Sequence, residues 1–236
     1  MSKAGFGERS VWGLTAAIAA TALLLQLGVV SPLATSARTP PWHLPLITVA
    51  IGFGLAEVFV VRMRLGRNAY AFSLSEIPLI VGLFFAPPDL LIVARLGSAL
   101  LVFAWRRTPL RKAAFNLALF ALEVTVAVVV WRTILGGAEP LGPRGWVATL
   151  VVALVTSMVG SSLVSLAIAA DTRQRPSMLS DVLSLGQVAD LVNAVFALVV
   201  VYVVSVDWRA AWILGVVILV LVLAQRGYER LQRRNE

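Results

Sequence analysis

Apolar residues run in long blocks between basic clusters, without the alternation of a half-buried strand or the one-sided stripe of a soluble helix. A transmembrane helix needs about 20 mostly apolar residues, and shorter ones are tolerated inside a bundle. On that scale the pattern predicts eight spans: Val11 to Val30, Leu44 to Val61, Leu74 to Ala86, Leu90 to Trp105, Ala113 to Trp131, Trp146 to Ala170, Val188 to Val206 and Ala210 to Ala224. All seven tryptophans (Trp12, Trp42, Trp105, Trp131, Trp146, Trp208, Trp212) fall within two residues of a proposed end. Their amphipathic rings suit the headgroup region. The expected fold is therefore an all-α, polytopic transmembrane helical bundle, with a membrane domain over residues 1–225 and a short polar exit over residues 226–236.

Charge arranges these spans. With the N-terminus in the cytoplasm, 15 of the 20 basic residues fall on the cytoplasmic side. Only Arg38, Arg132, Arg144 and Arg209 lie outside, and Arg95 sits within a span, so the positive-inside rule places both termini in the cytoplasm of a cell whose inner membrane holds the chain. The same rule decides Leu74 to Trp105, which Pro87 and Pro88 interrupt. A single crossing would separate Arg62, Arg64 and Arg67 from Arg106, Arg107, Arg111 and Lys112, so a hairpin of two helices is expected. The first run has a basic start and small residues at Thr35, Ser36 and Ala37 but a core of 20 residues. A signal peptide uses about 7–15, so the segment reads as an anchor.

Composition removes whole classes of function. Apolar residues make up 59% of the chain, and 17 glycines bring the share near two-thirds, against roughly 45–50% in soluble domains. Charged residues are only 14%, about half the usual ~25%. A soluble enzyme domain is excluded. With no cysteine and one histidine, His43, neither a thiolate nor a histidine-rich metal centre can be built, and no cofactor is expected. The net charge of +8 encodes orientation, and no nucleic-acid partner is implied. Phosphate loop, nucleophile elbow and zincin helix are all missing, so no enzyme activity is expected.

Ionisable groups inside spans cost roughly 2.5–3.5 kcal/mol each on insertion scales, and usually face the bundle interior with a partner. Glu57, Glu76, Arg95, Glu123 and Asp190 are such groups, joined by Asn116 and Asn193 on the polar stripes of Glu123 and Asp190. Arg95 and Glu123 lie at depths that differ by only ~5 Å at helical rise, which makes them the expected switchable pair. A plain helix-to-helix pin is the equal alternative. Glu57, Glu76, Asn116 and Asp190 sit near the cytoplasmic ends of their spans, as an acidic belt. Glu76 also reads as a helix-start residue, capped from Ser73 or from Ser75. Ser157, Ser161 and Ser165 beside Gly160 read as a close-packing stripe.

Past the last span, Leu221, Ala224, Tyr228, Leu231 and Asn235 follow the three-then-four spacing of an a/d seam, over fewer than three heptads. A basic helix on anionic lipid is the alternative there. Further back, the runs Tyr70 to Leu79, Gly82 to Pro88, Ala94 to Gly97, Arg106 to Lys112 and Phe115 to Ala118 are distinctive. This stretch resembles bacterial multi-spanning sensor modules, found particularly in actinobacteria, at the N-terminus of cyclic-di-GMP signalling proteins with diguanylate cyclase and EAL phosphodiesterase output domains. The resemblance covers about a quarter of the chain, between Tyr70 and Glu123.

It implies a sensory input module that receives a stimulus, an unidentified small ligand or a change in the bilayer. The signal would leave through a signalling helix at Tyr228 and Leu231, with Glu57, Glu76, Arg95, Asn116, Glu123, Asp190 and Asn193 as the polar interior. It also implies a homodimer and a cytoplasmic output domain, in cis or in trans. The alternative is a small membrane transporter or substrate-binding membrane subunit, to which the broken third and fourth spans and the acidic belt also point.

Overall fold

A computed structural model describes residues 3–31, 44–59, 61–65, 68–72, 74–172, 179–207, 209 and 216. Seven α-helices run through them: α1 (Lys3–Leu25, continued by a π-helical turn, Gln26–Val30), α2 (Leu46–Val58), α3 (Glu76–Phe85), α4 (Pro88–Trp105), α5 (Leu110–Leu135), α6 (Pro143–Thr172) and α7 (Leu179–Val206). Five of these stretches, all but α2 and α3, are long and apolar enough to cross a membrane, so this is a membrane protein by helix length and composition. The expected eighth span, Ala210 to Ala224, lies outside the described residues except for Val216, as do Tyr228 and Leu231.

Proline sets where the helices begin. Pro45, Pro87 and Pro109 occupy the residue before the first turn of α2, α4 and α5, and Pro143 opens α6. Proline is suited to these places because the first turn has no intrahelical partner for its N–H groups. The start of α5 thus lies three residues earlier than the hydropathy run suggests, and α6 likewise. At the other end of α5, Gly136 closes the helix at φ +53°, the left-handed cap that glycine adopts without a Cβ penalty. At ~1.5 Å per residue, α5 and α6 reach about 39 and 45 Å, more than a ~30 Å hydrocarbon core, so they tilt or project.

The Pro87–Pro88 break divides the stretch into two helices, α3 and α4, as expected, but α3 falls short of the length needed to cross the membrane. Leu91 on α4 packs directly on Gly82 of α3, where no Cβ could fit. Helix α3 rises only about 15 Å. It does not cross a bilayer; it is held inside the bundle by buried Leu79, Ile80, Phe84 and Phe85. Ser75 precedes it and Pro78 is its third residue, where no intrahelical amide bond is lost, yet the Ser75 hydroxyl makes no capping bond.

One element departs from an all-helical chain. Helix α2 ends at Val58, and an antiparallel hairpin follows, β1 (Val61–Leu65) and β2 (Asn68–Phe72), paired from Val61 with Phe72 to Leu65 with Asn68. The second span was expected to continue to Val61, but Val-Arg-Met-Arg-Leu alternates apolar and polar with period two, and Tyr70 and Phe72 add the aromatics that strands favour.

Helix α5 is the spine, packed on α6, α1 and α4; α2 lies along α4, and α3 along α7. The main core joins Phe53, Ile80, Phe84, Leu91, Val128, Trp131, Val152 and Val201. A second one, of Ile18, Phe115, Leu119 and Leu122, fastens α1. Trp131 corrects the use of tryptophan as a boundary marker. It is only 4% exposed, with its ring 4.5 Å from that of Phe84, whereas Trp12, Trp105 and Trp146 are exposed as expected.

Candidate functional site

Arg95, on the buried side of α4, is 3% exposed. A bare guanidinium in an apolar bundle is unstable, and the surrounding helices answer it from three directions. Its Nη1 stands 3.6 Å from Oε2 of Glu57 on α2. Its guanidinium carbon lies 3.7 Å from the centroid of the Phe120 ring on α5 and 5.0 Å from that of Phe53 on α2. Both rings are within the ~6 Å over which a cation is attracted to an aromatic face, an attraction of roughly 0.5–2 kcal/mol each. The pairing with Glu57 is electrostatic only: 3.6 Å exceeds the ~3.2 Å limit of a good N–H···O bond, and Nη1 has no hydrogen-bond partner.

The carboxylate at ion-pair distance is therefore Glu57, where Glu123 was expected. The reason is packing. Helices α2 and α4 lie along one another, which brings Glu57 beside Arg95. The Glu123 side chain turns instead toward α6, where a Cβ on Gly160 would sit 2.5 Å from its Oε1. Glu123 nonetheless acts on Arg95 more strongly than Glu57 or Glu76 does, so the nearest acid and the acid with the largest electrostatic influence are different residues.

Two further carboxyls complete the cluster. Glu76, in the first turn of α3, feels Asp190 of α7 more strongly than Glu123 or Arg95, and its Oε2 is buried with no hydrogen-bond partner. Asp190 is hydrogen-bonded to the Ser157 side chain of α6. Six helices thus bring one guanidinium, four carboxyls and one hydroxyl into electrostatic reach of one another. Of the remaining expected residues, Asn193 is half-buried one turn beyond Asp190 and has a partner of its own. Asn116 is half-buried two turns from Glu123 on α5.

Phe53, Ser157 and Gly160 had no site role in the sequence reading. The serine stripe looked like packing, and two of its members are: Ser161 and Ser165 donate to the carbonyls of Ser157 and Ser161 in their own helix, at 2.6 Å each. Ser157 and Gly160 differ because they face the acids of α7 and α5. The available signal was a glycine three residues from a serine, and the many other small residues of this helix obscure it.

At the end of the bundle away from Arg106 and Arg107, a second polar group ties loop to helix. Trp146 Nε1 donates to the Tyr202 hydroxyl at 2.6 Å, and that hydroxyl donates to the Leu141 carbonyl in the α5–α6 loop. Separately, Gln26 in the π turn donates to Asp89 at the start of α4, at 2.8 Å. Such one-residue expansions of a helix often occur where a side chain is put to use. No protein-family model matches the chain, and no curated protein or solved structure does either.

Proposed function

We propose that the chain is a sensory input module of the cytoplasmic membrane, with both termini cytoplasmic, whose interior charges form the switching element. The stimulus would be passed through the last helix, at Tyr228 and Leu231, to a cyclic-di-GMP-type output domain in cis or to a partner chain, in a homodimer. The observation that carries this reading is Arg95, buried among Phe53, Phe120 and Glu57 while Glu123 on another helix competes for it. A cation with two acids on different helices has two arrangements of comparable electrostatics, and a switch needs two such states that a stimulus distinguishes.

The test joins the full chain through Glu236 to a diguanylate cyclase catalytic domain and measures cyclic-di-GMP in cells. Arg95→Ala and Glu123→Gln should shift output in one direction or the other by several-fold at equal expression. Equal output from both variants and the parent would count against a switching role.

A small transporter is the second reading, favoured by the excess of acid over base in the cluster and by the short α3. Solute or ion flux through the purified chain in proteoliposomes separates the two, since a sensor binds and changes shape without net transport.

A further inference from the structure

Among the described residues the charge count of the cluster does not close. Glu57, Glu76, Glu123 and Asp190 lie within electrostatic reach of one another or of Arg95, which is the described cation acting on them. If all four carboxyls were ionised, one guanidinium would leave three negative charges uncompensated where burial makes each expensive. No group of three acids among the described residues comes close enough to hold a metal ion. The charge that balances the cluster must therefore be small and need few ligands.

The orphan atom says where it goes. Glu76 Oε2 is buried and unpartnered, and the group that acts on Glu76 most strongly is the Asp190 carboxyl. Helices α3 and α7 pack together, which brings these two carboxyls into each other's field. Two such like-charged groups are stabilised when one holds a proton and donates it to the other. We propose that Glu76 and Asp190 form a proton-binding pair that ties α3 to α7, with the proton as the ligand of the site.

The groups facing this pair set its behaviour. Glu123 on α5 adds negative charge, Arg95 on α4 opposes it, the Ser157 hydroxyl of α6 holds Asp190 in place, and Glu57 on α2 acts one step away, through Arg95 and Glu123. Proton uptake closes an O–H···O bond across the contact between α3 and α7, and proton release leaves two like charges that push those helices apart. As an account of the stimulus, the inference rests on the sensory reading above; the binding of the proton does not.

Infrared difference spectra of the full chain in nanodiscs, taken between mildly acidic and mildly alkaline buffer, test this directly. A carbonyl band of protonated carboxyl should appear on the acidic side. Glu76→Gln and Asp190→Asn should each remove at least half of it, while Asp171→Asn, on the exposed end of α6, should leave it intact. Monodisperse elution confirms folding, and if one variant fails to fold, the other decides. The proposal is overturned by an absent band, by a band retained at full size in the folded variants, or by a band that follows replacement of sodium with potassium at constant pH. Because this readout involves no output domain, a flat cyclic-di-GMP response with the band present rejects the sensory reading alone.

Discussion

Gly160 on α6 provides the space that the Glu123 carboxylate of α5 occupies: a Cβ at position 160 would lie 2.5 Å from Oε1. The atom in the way is the tip of a flexible side chain, so the carboxyl rather than either helix gives way. Gly160→Ala should therefore displace Glu123 and destabilise the protein by about 1–3 kcal/mol, the usual cost of overpacking. Thermal unfolding in detergent measures it. Adding Glu123→Ala should recover most of the loss, and additive losses would mean that the glycine serves some other contact.

Arg95 and its acids can be ranked by double-mutant cycles. Arg95→Ala leaves Glu57 as a buried acid without its cation, a change that typically costs about 3–5 kcal/mol. Combining it with Glu57→Ala should be milder than the sum by roughly 0.5–3 kcal/mol. The cycle with Glu123→Ala should give a coupling at least as large, because Glu123 acts on Arg95 more strongly although Glu57 is the acid at 3.6 Å. No coupling to Glu123 would show that Arg95 belongs to Glu57 alone.

The two phenylalanines should also differ. Phe120 stands 3.7 Å from the guanidinium carbon and Phe53 5.0 Å, so Phe120→Leu should cost more through the lost cation–π attraction, about 1 kcal/mol. Repeating both substitutions in an Arg95→Met background isolates that share from simple packing. If Phe120→Leu costs the same with and without the arginine, the ring acts as core filling alone.

Tyr202→Phe removes a hydroxyl that serves two groups at once, Trp146 Nε1 as acceptor and the Leu141 carbonyl as donor. A loss of about 1–3 kcal/mol is expected for leaving such groups unpaired. The loop from Leu135 to Pro143 should then exchange its amide hydrogens faster, with little change at the Arg95 cluster. Unchanged exchange in the loop would show that the Trp146 and Tyr202 rings, 6.2 Å apart, hold it without the hydroxyl.

The spans were legible because hydropathy acts residue by residue: a run such as Ala113 to Trp131 must avoid water whatever its neighbours are. What that rule omits is proline, which can begin a helix ahead of the first apolar residue, as Pro109 and Pro143 do. The five intramembrane charges were legible for the same reason, since each is costly wherever its helix points. Their pairing was not. Helices apolar on every side carry no face that announces which way Arg95 or Glu123 turns, so the choice of Glu57 follows from α2 lying along α4. The strands at 61–72 were passed over because that stretch was read only as basic connection, although its alternation was present. Trp131 misled because a ring suited to the headgroups is equally suited to a stack on Phe84.

The prolines at the helix starts also bear on how the charges come to be aligned. Pro45, Pro87, Pro109 and Pro143 determine the first residue of their helices covalently, before any neighbour exists to pack against. The start of each of these helices is thus written into its own segment and does not wait for a partner to pack against. The places of Arg95 and Glu123 along their helices, counted from Pro88 and Pro109, are set in the same way. Packing is left to choose the rotation and depth at which these charges meet.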